Sequence, residues 1–458
     1  MLTFSALTLY MSSCSEEMSL QGDPFVVAFE SLSKNLTTIE SEENIEMVYS
    51  EIAEENGSIT VQINFKNAVY GIDFATIPEA IANNITLPIF SGDIQNSIVF
   101  QKLNTSLDET TQIEFTLTSI DYNNSNIQGN SSFLINSTAS LGGSFKPEVG
   151  GPNEGNQVFV DLSSQSSRLA QRDTWDLGFY NGTNFRVTIN GSIYMATKAL
   201  TEINIDAISE ADVSGIQSQV AVGTFDISNA AYVDAPNGNI LETAIAEISE
   251  NDNENPVYLL NLGYELGTDI PTSGGVAIAG NQRGWKKIRI LRNNNNYILQ
   301  YANLNDTSHQ EVIISKNTSY NFNHFSFNTN KIVNVEPKKE KWDLCFTVFT
   351  NVLNGAGSYG FSDFVYHNIK GGTLAYRVDT EDFQYDDFEK NNIIESNFSV
   401  DQTIIGSSWR SVFNRSTYDD RFYIIRDPNG NMYKLKFLAL TNNDGIRGHP
   451  EFEYKLLQ

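Results

Sequence analysis

Residues with side chains suited to chemistry are few in this chain of 458 residues. The cysteines are Cys14 and Cys345, and the histidines are His309, His324, His367 and His449. There is no Gly-x-Ser-x-Gly nucleophile elbow, no His-Glu-x-x-His zinc motif and no Walker A sequence. Carboxylate pairs such as Asp386-Asp387 and Asp419-Asp420 point to opposite faces of a strand and rarely act together. We therefore predict that the protein is not an enzyme.

Charge and composition narrow the classes of partner. The formal net charge is −27, so the chain repels phosphate backbones and we expect no nucleic-acid partner. Hydrophobic residues make up 40% of the sequence, enough for packed cores, and the length suggests about three domains.

Cys14 stands at the end of an apolar N-terminal run. Residues 1–11 are too few to span a bilayer, and Ser12 and Ser13 directly precede the cysteine. This pattern resembles the lipobox of bacterial lipoproteins, in which the signal is removed before a cysteine that is then acylated. The following Ser15-Glu16-Glu17 resembles a surface-export signal. We predict that residues 1–22 are a lipoprotein signal and tether, with Cys14 holding the protein on the outer membrane at the cell surface.

A first β-rich domain is expected over residues 23–140. Ile59, Val61, Ile63 and Phe65 alternate with polar residues, as in half-buried strands. The order of strand-like segments from Tyr70 to Leu117 resembles the Calx-β repeat, an immunoglobulin-like sandwich. Members of that family often bind calcium through clustered acidic residues. Here Asn104-Thr105-Ser106-Leu107 replaces the acidic run and only Asp108 and Glu109 follow, so we do not expect a calcium site.

The rest of the chain contains an internal repeat after a glycine-rich linker at 141–155. Thr174-Trp175-Asp176-Leu177-Gly178-Phe179 recurs as Lys341-Trp342-Asp343-Leu344-Cys345-Phe346, and each copy leads to a basic β-hairpin. We predict an all-β fold in which the sandwich is followed by two related antiparallel modules, 156–315 and 316–458. The first copy is longer, with its extra residues expected within 205–255, where Ser209 to Val213 have a helix-start pattern.

The repeated Trp-Asp-Leu strand resembles the HmuY family. So do the hairpin Asp427-Pro428-Asn429-Gly430 to Phe437 and the segment from Gly445 to Tyr454. The resemblance covers about residues 155–458. It implies an all-β secreted or surface lipoprotein that captures haem, or a related tetrapyrrole, and delivers it to an outer-membrane receptor of the TonB-dependent class.

The same resemblance directs attention to the histidines. In haem-binding members, axial histidines lie between a glycine-rich middle and the final hairpin, but here residues 373–421 contain neither His nor Met. His367 follows the glycine-rich stretch 355–360 and adjoins Tyr366, and it becomes the candidate axial ligand. The alternative is a lipoprotein with a non-haem interaction or adhesion role, in which the modules bind glycan, protein or nothing small.

Overall fold

The computed structural model of the chain describes residues 24–104, 107, 110–137 and 139–457. The expected signal and the lipidation site Cys14 lie outside the described residues, as do Asp108 and Glu109. Within the described ranges, no helix has both the length and the apolar character needed to cross a membrane.

Ten strands form the N-terminal domain. They are β1 (Phe25–Phe29), β2 (Ser33–Asn35), β3 (Glu42–Tyr49), β4 (Gly57–Lys66), β5 (Phe74–Ile77), β6 (Asn84–Ile89), β7 (Gln95–Lys102), β8 (Gln112–Asp121), β9 (Ser125–Ile127) and β10 (Ser132–Asn136). One sheet has the order β5-β7-β3-β1-β9 and the other β2-β10-β8-β4-β6. Alternate residues of the longer strands, such as Ile59, Val61 and Ile63, are buried in one shared core, as in a two-layer sandwich.

The first copy of the repeat follows, together with the strand that leads into it. Its strands are β11 (Gly142–Phe145), β12 (Asn156–Asp161), β13 (Ser166–Gln171), β14 (Leu177–Tyr180), β15 (Val187–Ile189), β16 (Ala196–Ala199), β17 (Val257–Asn261), β18 (Tyr264–Leu266), β19 (Ala279–Gln282), β20 (Trp285–Asn293), β21 (Asn296–Ala302) and β22 (Gln310–Ser315). The second copy has β23 (Phe322–Ser326), β24 (Lys331–Val333), β25 (Leu344–Leu353), β26 (Gly357–His367), β27 (Leu374–Asp379), β28 (Arg410–Ser411), β29 (Ser416–Thr417), β30 (Arg421–Arg426), β31 (Met432–Thr441) and β32 (Arg447–Leu456).

Helical structure among the described residues is limited to segments of three to six residues. The one α-helical turn among the described residues is α1 (Glu210–Val213), which begins at Ser209 through a reciprocal capping box with Asp212, as the sequence pattern predicts. Short 3₁₀ turns occur at Leu36–Thr38, Gly151–Asn153, Arg172–Thr174, Gly191–Ile193, Ile205–Ala207, Gln217–Gln219, Ile227–Tyr232, Ile240–Glu242, Asp252–Glu254, Lys390–Asn392 and Glu395–Asn397. The expected all-β fold, a sandwich followed by two related antiparallel modules, is confirmed.

The two copies of the repeat exchange their first hairpins. The β12–β13 hairpin of the first copy pairs with β25, the Trp-Asp-Leu strand of the second, in the sheet β13-β12-β25-β26. The β23–β24 hairpin of the second copy pairs with β14, the Trp-Asp-Leu strand of the first, in the sheet β15-β14-β23-β24. The copies are therefore interlocked, and neither four-stranded sheet is complete without both.

The aspartate of each Trp-Asp-Leu motif fastens the exchanged hairpin. Asp176 Oδ2 accepts a hydrogen bond from Phe327 N at 2.6 Å, and Asp343 Oδ2 accepts one from Leu162 N at 2.9 Å. The donors belong in each case to the hairpin of the other copy. Asp176 Oδ1 also forms an ion pair with Arg283 Nη1, at 2.7 Å. Asp343 Oδ1 instead accepts a hydrogen bond from the Thr373 hydroxyl. Because these carboxylates are buried, their hydrogen bonds fix the register of the exchange.

The remaining two large sheets carry the basic hairpins, and one of them also joins the sandwich to the repeats. Their orders are β16-β17-β20-β21-β22 and β11-β32-β31-β30-β27. Strand β11 pairs with β32, and Leu32 N donates to Gly142 O at 2.9 Å. Residues 142–145, which fall in the expected linker 141–155, are thus built into a sheet and hold the N-terminal sandwich against the second copy.

Candidate ligand-binding site

A cavity of about 150 Å³ lies between the two copies of the repeat. We call it the inter-repeat cavity. Its aromatic lining comes from both copies and consists of Phe159, Trp175, Phe322, Trp342, Phe349 and Tyr366. Its ionisable lining consists of Asp234, His324, Glu336, His367 and Lys370. A largely apolar concave site with a few polar groups is the usual form of a small-molecule site.

His324 projects from the exchanged strand β23 into the aromatic part of the cavity. Its ring meets the Trp175 ring edge-on, with centroids 4.7 Å apart. Burial lowers the pKa of His324 to about 3, so the imidazole is neutral at physiological pH. A neutral imidazole keeps one nitrogen lone pair free to bind a metal or accept a hydrogen bond.

His367 ends strand β26 at the other side of the same cavity and is fully buried. Neither ring nitrogen has a hydrogen-bond partner of ordinary geometry among the described residues, but the backbone carbonyls of Ser399 and Gln402 lie close enough to interact with the ring. Burial lowers its pKa to about 4, although the nearby carbonyls of Ser399 and Gln402 oppose the shift. The candidate ligand of the sequence analysis is therefore at the cavity wall, in the neutral form that metal ligation requires.

Two residues of the cavity lining also carry a buried polar atom that has no partner among the described residues. They are Trp342 Nε1 and Thr347 Oγ1. The matching tryptophan of the first copy differs, because Trp175 Nε1 donates to Gln157 Oε1 at 2.8 Å. Since buried polar groups in proteins nearly always have partners, an unpaired donor beside a cavity marks a place for water or a ligand.

A cluster of opposite charges lies at one end of the cavity. Lys370 Nζ donates to Gly238 O at 3.0 Å, and burial lowers its pKa to about 8. Burial raises the pKa of Glu336 to about 7 and that of Asp234 to about 6, while Lys370 opposes both shifts. These carboxyl groups therefore change charge close to neutral pH.

Residues 233–243 cover the cavity, and we call them the covering segment. They lie in the long connection between β16 and β17 that contains the expected extra residues 205–255. The segment is fixed to both copies, because Ile189 N donates to Asp234 Oδ2 at 2.9 Å and Gln402 Nε2 donates to Pro236 O at 2.9 Å. The segment therefore forms part of the cavity wall and is held to both copies.

The strand pairings show which positions of the two copies correspond. Gly178 and Cys345 hold the same position, directly after Trp-Asp-Leu, in the two copies. His324 pairs with Gly178 and Phe159 pairs with Cys345, so His324 and Phe159 occupy equivalent positions. Leu177 and Leu344 are the leucines of the two Trp-Asp-Leu motifs. Ile189 pairs with Leu177 and His367 pairs with Leu344, so His367 and Ile189 also occupy equivalent positions. The second copy thus supplies polar groups where the first has apolar ones.

Sequence reasoning selected His367 but not His324, Glu336 or Lys370. The repeat itself could have indicated these residues. A polar residue in one copy, at the position where the other copy has an apolar residue, marks a site that packing alone does not explain. Recognising such positions requires that the two hairpins that precede the Trp-Asp-Leu strands, β12–β13 and β23–β24, be aligned correctly with each other.

The other candidates do not line this cavity, although Cys345 packs against the lining residues Phe159, Trp175 and Trp342. Cys345 is buried and burial raises the pKa of its thiol, as expected for a small core residue. His309 Nδ1 lies 3.0 Å from Asp206, and His449 is exposed. Within the described ranges, no group of three or more His, Cys, Asp or Glu side chains is arranged to hold a metal ion.

Comparison with known protein families identifies the family of this chain. The model of the HmuY protein family matches residues 153–323 and again residues 318–454. The chain belongs to the HmuY family. The two matches correspond to the two copies, each beginning just before its exchanged hairpin. Membership makes this a protein of a haem-binding type of family rather than of an enzyme family.

Other comparisons add little. No curated protein matches the chain. Among solved structures, the apo-form Calx CBD1 domain matches at 11% identity and a TM-score of 0.20, covering 25% of this chain and 96% of that domain. A "putative carbohydrate binding protein" from Bacteroides ovatus ATCC 8483 matches at 9% identity and a TM-score of 0.15, covering 74% of this chain and 97% of that one.

Proposed function

We propose that this protein captures haem at the inter-repeat cavity, as a surface lipoprotein that passes its cargo to an outer-membrane receptor. The observation that carries the proposal is that two neutral histidines, His324 and His367, border one aromatic-lined cavity. Haem iron accepts one or two axial imidazoles, and the porphyrin favours aromatic walls. Membership of the HmuY family supports the same ligand class.

The size of the cavity sets a condition on this function. At about 150 Å³ it is smaller than the roughly 300–1,000 Å³ of pockets that hold drug-sized ligands. We infer that the covering segment moves away from Gln402 and Lys370 to make room for haem. The contacts that hold the segment include the hydrogen bonds that Gln402 Nε2 and Lys370 Nζ donate to the carbonyls of Pro236 and Gly238. They also include the one that Ile189 N donates to Asp234 Oδ2.

Hemin titration of the purified protein tests the proposal. We expect a saturable Soret shift that is reduced at least tenfold in affinity by His324→Phe or His367→Ile. Each variant places at one copy the residue that the other copy already has, so both should fold. His449→Ala is the matched control, because that histidine is exposed and outside the cavity. A wild-type protein with no Soret shift would exclude haem as the ligand.

The anchor is tested separately. We expect the wild-type protein, expressed in a Gram-negative host, to incorporate labelled palmitate and to fractionate with the outer membrane. Cys14→Ser should remove both the label and the membrane association, while Cys345→Ser should remove neither because that thiol is buried. Unchanged labelling of Cys14→Ser would refute lipidation at this residue.

A further inference from the structure

We propose that Lys370 binds a carboxylate group of the ligand, at the end of the inter-repeat cavity where Glu336 and Asp234 also lie. The inference rests on the proposed function and deepens it, because haem carries two carboxylates at one edge of its ring. It identifies the ligand as an organic acid and places the acid group at this end of the cavity.

The Lys370 ammonium group has hydrogen-bond donors to spare. An ammonium carries three N–H donors, and Nζ makes one hydrogen bond to the described residues, to Gly238 O at 3.0 Å. Nζ also lies 5.6 Å from the centre of the Phe322 ring. Because Gly238 and Phe322 both line the cavity, the ammonium group lies at its wall. Its remaining donors are available to a ligand.

The two carboxyl groups of this cluster bond to the backbone rather than to Lys370. Asp234 accepts hydrogen bonds from two backbone N–H groups, at 2.9 Å each, and Glu336 Oε1 accepts one from Phe322 N at 2.8 Å. Their charges act on Lys370 without a hydrogen bond. A ligand carboxylate that reaches Nζ therefore makes a contact that neither of these carboxyl groups makes.

The covering segment carries both Gly238 and Asp234. When this segment moves aside for haem, Lys370 loses its carbonyl acceptor and one of its two negative neighbours in the same step. A half-buried ammonium left without them gains much from a new anion, because hydrogen bonds between charged groups are the strongest that side chains make. The movement that admits the ligand thus prepares Lys370 for a carboxylate.

The charge at this end of the cavity favours an acid ligand below neutral pH. Burial lowers the pKa of Lys370 to about 8, and it raises the pKa of Glu336 to about 7 and that of Asp234 to about 6. At about pH 6 the lysine is charged and Glu336 is mostly neutral, whereas at about pH 9 the lysine is mostly neutral and both carboxyl groups are charged. The other titratable side chains around the cluster are neutral over this range, namely His324, His367, Cys345 and Tyr366. Attraction for an anion therefore falls as the pH rises.

The first copy of the repeat has no lysine at the equivalent position. Asn368 and Asn190 each donate Nδ2 to the carbonyl of the motif tryptophan of their own copy, at 2.9 and 2.8 Å, so the two asparagines are equivalent. Lys370 follows Asn368 by two residues, as Ser192 follows Asn190. The same place in the fold takes a serine in one copy, so packing alone does not explain the lysine in the other.

Titration of the full chain with hemin and with hemin dimethyl ester tests the inference, because esterification removes the two negative charges and keeps the ring and the iron. At about pH 6 we expect hemin to bind at least about tenfold more tightly than the ester, as read from the Soret band. At about pH 9 the preference should fall below about threefold. Equal affinities at about pH 6 would overturn the inference.

Variants assign the preference for the acid to one side chain. Lys370→Met should abolish it and Lys370→Arg should keep it. Lys331→Met is the matched control, because that lysine is exposed and does not line the cavity. The ratio of the two affinities is the readout, since a merely structural change at Lys370 alters the binding of acid and ester alike. An unchanged ratio in Lys370→Met would exclude this lysine.

Benzoate and its neutral analogue benzamide separate this test from haem binding. If hemin binds, its preference over the ester decides; if it does not, ligand-observed NMR with benzoate decides. A preference for benzoate that Lys370→Met removes, without any Soret shift, would refute the proposed function and leave this inference standing. A Soret shift with equal affinities for hemin and its ester would do the reverse, and binding of neither hemin nor benzoate would overturn both.

Discussion

At the scale of single residues, the aspartates of the repeated motif have the clearest role. Trp175-Asp176-Leu177 and Trp342-Asp343-Leu344 are recognisable as a repeat in the sequence, and the strands that follow them could be predicted. The reason for the aspartate could not, because its partners, Phe327 N and Leu162 N, lie on the hairpin of the other copy. Such long-range partners leave no local pattern.

The two aspartates should respond differently to neutralisation. Asp176→Asn leaves the buried Arg283 guanidinium without its anion, and we expect the free energy of unfolding to fall by about 3 kcal/mol. Asp343→Asn is the control and should cost less than about 1 kcal/mol. Burial and the nearby Asp161 raise the pKa of Asp343, so the loss of its charge should cost less there. Urea denaturation measures both, and equal losses would contradict the assigned role of Arg283.

Glu336 makes stability depend on pH. Burial raises its pKa from 4.5 to about 7 in the folded protein, so the folded state binds the proton more tightly than the unfolded state. The contribution of Glu336 to the free energy of unfolding is greatest below about pH 4.5. It is lost as the pH rises to about 7, and the loss amounts to at most about 3 kcal/mol. Glu336→Gln should flatten this part of the curve of unfolding free energy against pH. The exposed Glu340→Gln should leave the slope unchanged.

At the scale of elements, the sequence predicted the strands well and their pairing poorly. Period-two runs such as Ile59 to Phe65 and the two basic hairpins form strands as expected. The exchange of β12–β13 and β23–β24 was not foreseen, because a hairpin carries no local mark of which neighbour it will join. The cavity depends on that exchange, so only part of its lining could be identified beforehand.

Exchange of hairpins predicts that the two copies hold together without a covalent link. A protease site inserted between Thr318 and Ser319, in the connection between β22 and β23, should be cleaved without separating the halves on gel filtration. Each half expressed alone should fail to fold, because its four-stranded sheet lacks two strands. Separation of the cleaved halves under native conditions would argue against this interlocking.

At the scale of the whole molecule, β11 joins the N-terminal sandwich to the repeats. Ser144 N donates to Glu30 O at 3.3 Å, and Leu456 N donates to Leu141 O at 3.0 Å, so the joint bonds to both sides. A glycine-rich stretch is ordinarily expected to be a flexible linker. Here the glycines serve close backbone approach, which composition alone could not distinguish from flexibility.

Gly142 is the test of this joint. Its φ of +116° disfavours any side chain, and a Cβ there would collide with the backbone carbonyl of Tyr454. We expect Gly142→Ala to lower the free energy of unfolding by about 2–4 kcal/mol. Gly445→Ala has a positive φ but open space around it and should cost only about 1 kcal/mol. Equal losses would mean that backbone strain, not the joint, determines the effect.

Fusion of the two copies has a consequence for how this site could evolve. Two separate identical subunits that exchanged hairpins would form a twofold-symmetric pair, so any change on one wall of the shared cavity would appear on the other. A single chain escapes that constraint. The second copy has His324 where the first has Phe159, and it has His367 where the first has Ile189. Identical subunits could not differ in this way. With both copies in one chain, the two walls of the cavity differ, and each can be selected separately.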